Sequence, residues 1–75
     1  MIEDASEAML RIAARRGNIG ASRDDIFREL KGGIPYHELE RLIQELEQLG
    51  FITVDWLGTY DFVVTITQEG LAQLT

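Results

Sequence analysis

Cysteine is absent from this chain of 75 residues, so no disulfide staples it and no thiolate can hold a metal or act as a nucleophile. Histidine occurs once, at His37 beside Pro35 and Tyr36 near a helix start, and reads as a surface side chain. One histidine without cysteine supplies no transition-metal constellation. Ser6 and Ser22 have no evident histidine partner, and Gly32-Gly33 reads as a turn and not a phosphate cradle. Glu3, Asp4 and Glu7 are better explained by helix capping than by a hard cation. No catalytic residue, cofactor or metal is expected, and the chain reads as non-enzymatic. No apolar run approaches the roughly 20 residues of a membrane span. The amino-terminal MIEDASEAML lacks the basic-then-apolar order of a signal peptide. No membrane partner and a cytoplasmic address are the expectations, and the lack of cysteine fits a reducing compartment.

Positive charge is scarce in one half only. Residues 1–31 hold six bases (Arg11, Arg15, Arg16, Arg23, Arg28, Lys31) and six acids, a balance of zero. Residues 32–75 hold one base, Arg41, against seven acids (Glu38, Glu40, Glu45, Glu47, Asp55, Asp61, Glu69), so the whole net charge of −6 sits there. Such an imbalance bears on partners and not on fold. The length fits one domain over 1–75, and a chain this small buries only about 60% of its unfolded surface.

Apolar spacing divides the chain into helices and a ribbon. A first helix is expected from Asp4, with Asp4 and Glu7 at capping-box spacing. Ala5, Met9, Ile12 and Ala13 form its buried side, Arg15 and Arg16 suit its carboxyl end, and Gly17 stops it. Asn18–Ala21 is short and holds one large apolar side chain, Ile19. Ser22 then caps a second helix with Asp25 at the third position, and Ile26, Phe27 and Leu30 face inward. Lys31-Gly32-Gly33 ends that helix. A third helix opens at Ile34-Pro35, with proline at the first helical position. Leu39, Leu42, Ile43, Leu46 and Leu49 make its apolar stripe, and Gly50 closes it. Thr67 caps a last helix, Gln68–Leu74, whose Leu71 and Leu74 fold back on the first.

Between them lies a ribbon. Ile52, Val54 and Trp56 alternate on one strand, and Tyr60, Phe62, Val64 and Ile66 on the other. A three-residue loop, Leu57-Gly58-Thr59, pairs 56 with 60, 54 with 62 and 52 with 64, and brings every apolar side chain to one face. Phe51, Leu57 and Val63 then fall on the outer face.

The segments NIGASRDDIFREL, PYHELERLIQELEQLGFI and VVTITQEGLAQL resemble the winged helix-turn-helix superfamily of small bacterial and archaeal transcriptional regulators. LIQELEQLGFI is similar to the helix ending common there, and ITQEG to the start of the last helix. The resemblance covers nearly the whole chain. It implies an α+β fold: a three-helix core, a stub strand in the Asn18–Ala21 slot, a two-stranded wing and a short carboxyl-terminal helix. In DNA-binding members the exposed side of the third helix enters the major groove. Here that side would carry Tyr36, His37, Glu40, Arg41, Gln44, Glu45 and Gln48, with Arg41, Gln44 and Gln48 able to read base edges. Asp55 through Asp61 has no lysine or arginine, a departure from the cationic wing.

Two functions from different classes follow. As a dimeric DNA reader the chain would set carboxylates toward phosphates. At about 7 Å in water-like dielectric each such pair costs roughly 0.6 kcal/mol. Four cost on the order of 2 kcal/mol, and a lone arginine returns little counterion release. As an adaptor it would present acids such as Glu40 and Glu45, with Trp56, Leu57 and Tyr60 as wing-tip anchors, to a protein partner or another copy. Blander accounts stand beside both. The acids and Arg41 make an ordinary solvated helix face, Trp56 and Tyr60 pair across the strands, and the six bases balance nearby acids.

Overall fold

The computed structural model describes residues 4–30 and 33–75. It is an α+β arrangement of four α-helices and a three-stranded antiparallel sheet: α1 Asp4–Arg16, β1 Ala21–Ser22, α2 Arg23–Leu30, α3 Tyr36–Gln48, β2 Ile52–Trp56, β3 Phe62–Ile66 and α4 Gln68–Ala72. The strand order is β1-β3-β2, so β3 is central. The expected capping of α1 by Asp4 rests on a side chain outside the described residues, as does the part of the α2 stop assigned to Lys31 and Gly32. Among the described residues no helix is long and apolar enough to cross a membrane.

Met9, Ile12 and Ala13 of α1 are buried as their spacing predicts, and Leu10 joins them with no exposure. Against them pack Ile26, then Leu39, Ile43 and Leu46 of α3, and Ile52, Phe62 and Val64 of the sheet. Phe27 and Leu30 lie half-buried at the margin. Gly17 leaves the helical region at φ 57° and opens a single 3-10 turn, Gly17–Ile19. The stub strand is therefore shorter and later than Asn18–Ala21, and Ile19 points to solvent at 86% exposure.

The caps hold α2, α3 and α4 in place. Ser22 Oγ accepts from the Asp25 N–H and an Asp25 carboxylate oxygen accepts from the Ser22 N–H, both at 3.2 Å, a reciprocal capping box. Pro35 stands one position earlier than expected. It is the N-cap of α3, extended at ψ 152°, and its carbonyl accepts the Leu39 N–H. At the other end the Gly50 N–H donates to Glu47 O and the Phe51 N–H to Leu46 O, the Schellman pattern, with Gly50 at φ 82°. Leu49 is the helix's C-cap and turns outward at 62% exposure, so the buried stripe stops at Leu46. Thr67 Oγ1 accepts from the Gly70 N–H and donates to Gly50 O at 2.6 Å, which ties the start of α4 to the end of α3. The last helix ends at Ala72. Leu74 reaches a hollow of about 480 Å³ beside Ala8 and Ile12 of α1, but Leu71 remains 45% exposed.

The ribbon corrects the expected register. Ile52 pairs with Ile66, Val54 with Val64 and Trp56 with Phe62, two residues along from the predicted pairing. The loop is the five residues Leu57–Asp61, closed by Leu57 and Gly58 N–H groups that both donate to Asp61 O. Two preferences explain the slip. A three-residue loop wants glycine in its last position, where this chain has β-branched Thr59. The longer loop also removes Asp61, a poor strand residue, and threads FVVTI through the centre of the sheet. Because the slip is two residues, Ile52, Phe62 and Val64 still face the core.

Candidate interaction surface

Helix α3 buries Leu39, Leu42, Ile43 and Leu46, which leaves His37, Arg41, Gln44, Glu45 and Gln48 exposed on the other side. Arg41 is engaged there. Its Nη2 donates to Glu38 at 3.1 Å and its Nη1 reaches Glu45 at 3.5 Å. Exposed pairs at this spacing each support a helix by about 0.2–0.5 kcal/mol. His37 Nε2 is 4.0 Å from Glu38. Among the described residues, no ion pair is made by Glu40, Glu47, Asp55 or Asp61.

The described arginines of the other half are matched within that half. Arg11 meets Glu7, Arg15 meets Glu29, Arg23 meets Asp24, and Arg16 and Arg28 both meet Asp25. The Ser22 N–H, with these two arginines behind it, holds the Asp25 carboxyl below its ordinary range. None of these five arginines is paired with an acid of α3 or of the β2–β3 ribbon.

Tyr36, expected as an exposed residue, is half-buried. Its ring stacks on Phe27 of α2 with centroids 6.3 Å apart, and meets the edge of Tyr60 from the β2–β3 loop at 5.3 Å. Its hydroxyl is buried without a hydrogen-bond partner, as is Arg23 Nε. Burial raises the Tyr36 pKa above 10.0, the Glu40 carboxylate adds to this, and Arg23 opposes it. The loop is thus anchored on the corner where the middle of α2 meets the start of α3. Glu40, on the same corner, is half-buried and not fully exposed.

Trp56 and Tyr60 do not pair with each other. The Trp56 ring packs edge-on against Phe62 at 5.2 Å and keeps 40% exposure. Leu57 and Tyr60 are 65% and 60% exposed. Of the expected outer face, Leu57 is open, whereas Phe51 and Val63 are half-buried. Residue spacing alone does not join Phe27, Tyr36 and Tyr60, since that contact depends on the length and path of a loop. No family model matches the chain, and no curated protein or solved structure is significantly similar to it.

Proposed function

We propose that this is a non-enzymatic winged-helix regulator or adaptor domain that works through protein contacts, with the acidic side of α3 and the wing as its working surface. The order α1-β1-α2-α3-β2-β3 and the Schellman turn from α3 into the ribbon support the winged-helix assignment. One observation carries the functional reading. The single arginine of α3 is already held by Glu38 and Glu45, while Glu40, Glu47, Asp55 and Asp61 form no ion pair among the described residues. A surface so charged attracts a cationic partner, and exposed Trp56, Leu57 and Tyr60 supply the apolar anchors that protein interfaces use.

The element order itself favours a rival, a dimeric DNA-binding regulator reading the groove with Tyr36, His37, Arg41, Gln44 and Gln48. Tyr36 is poorly placed for that role, because its ring is engaged by Phe27 and Tyr60. The two readings separate in a titration of labelled mixed-sequence duplex at low salt. The expected result is no binding tighter than about 10 μM; tighter binding that weakens steeply with salt overturns the adaptor reading.

A further inference from the structure

We infer that the open edge of β2 takes an extended, alternately cationic and apolar segment of a partner protein as a fourth strand of the sheet. The inference rests on the protein-contact reading above and specifies its partner.

The hydrogen-bond pattern identifies the groups on offer. The Thr67 N–H donates to Phe51 O and the Leu57 N–H donates to Asp61 O. In an antiparallel ladder, bonded and non-bonded residue pairs alternate. With Ile52 opposite Ile66 and Trp56 opposite Phe62, the residues bonding across the ribbon are 53 and 55 within β2 and 51 and 57 just beyond its ends. The N–H and C=O groups of Ile52, Val54 and Trp56 therefore point away from β3. β2 is an edge of the sheet, and among the described residues no backbone bond reaches it from that side.

Edges are usually blunted by proline, charged side chains (lysine above all), a bulge or a very short strand. β2 has little of this: it is five residues of regular pairing without proline, lysine or bulge, and its one charge is Asp55, which leaves the edge open to a cationic strand. The opposite edge, β1, is only two residues long. An unblunted strand beside exposed aromatic side chains is what strand-addition partners use.

Charge selects the occupant. A second copy would bring its own half with one base and seven acids to the same edge. A lysine- or arginine-bearing strand brings the complementary sign. Its alternation follows from the pleat. Thr53 and Asp55 lie on one face of β2, and Ile52, Val54 and Trp56 on the other. A partner's cations would stand beside Asp55 and its apolar side chains beside Val54 and Trp56.

The test uses a synthetic peptide alternating lysine with valine, long enough to span β2. Its control is the same peptide N-methylated at alternate residues, which keeps the charge but loses the edge bonds. Trp56, the only tryptophan, reports binding by its fluorescence, and amide exchange locates it. The expected result is that the first peptide slows exchange at Ile52, Val54 and Trp56 by about tenfold or more, less so at high salt, and that the methylated one does not. Equal binding of both peptides overturns strand addition but leaves a cation-seeking surface intact. Binding of neither peptide overturns it outright, and if duplex DNA then binds, the adaptor reading falls too. Protection of the same amides by rising protein concentration alone would assign the edge to a second copy and overturn the inference.

Discussion

At Gly70, helix propensity and packing pull in opposite directions. Alanine normally stabilises a helix interior by about 1 kcal/mol over glycine. Here a Cβ would run into the Phe51 carbonyl oxygen and lie 2.8 Å from Ile66 Cγ1. That carbonyl has little room to yield, since it accepts the Thr67 N–H at 3.0 Å. Gly70→Ala is expected to destabilise the protein by about 1–3 kcal/mol, the range for overpacking. Gly50 differs: nothing lies within 4 Å of its added Cβ, but its φ of 82° is left-handed. Gly50→Ala should cost about 1–2 kcal/mol through backbone conformation, and Gly50→Asn less. Urea denaturation of the three variants checks both arguments. A neutral or stabilising Gly70→Ala would mean that α4 can back away from Phe51.

Among the elements, α2 is the one whose start responds to acid. Asp25 accepts the Ser22 N–H, its carboxyl is charged beside Arg16 and Arg28, and its pKa in the folded chain lies below the ordinary 3.8. A depressed folded pKa contributes stability that is fully present above the unfolded value and is lost as pH falls through the folded one. Asp25→Asn should therefore be less stable than the natural chain at neutral pH, and the difference should shrink as pH drops below 3.8. A series of denaturation curves against pH reads this directly, and a gap that stays constant with pH refutes the account. The same box was legible in the sequence, as were the caps and stops at Thr67, Gly17 and Gly50, because each is decided by residues within a few positions. Register was legible only in its parity. Alternation has period two, so it separates the two faces of the ribbon but cannot detect a slip of two residues. The folding of Tyr60 onto Tyr36 was not legible, because it depends on the longer loop that this slip creates. Leu49 fits the apolar stripe by spacing, yet the turn at Gly50 carries it past the core.

For the molecule as a whole, the uneven charge is the property on which the proposed adaptor role depends. Arginines of α1 and α2 could have offset the acids of α3 had they reached across, but all five described ones pair with acids of their own half. If electrostatics alone keeps this surface from DNA, reversing it should confer binding. The variant Glu40→Lys, Glu47→Lys, Asp61→Lys changes only residues without an ion pair among the described ones, so Arg41 keeps Glu38 and Glu45. Each lysine that reaches a phosphate should add about 0.9 to the steepness of log affinity against log salt, so up to about 2.7 for the three. The natural chain is expected to show no such dependence at the same concentrations. The result that would sink this view is a natural chain that binds mixed-sequence duplex as tightly as the reversed one at low salt. That would mean Gln44, Gln48 and the backbone suffice for contact and the carboxylates are bystanders. A reversed chain that binds with the expected salt slope would instead show that the geometry can hold a polyanion and that these acids prevent it.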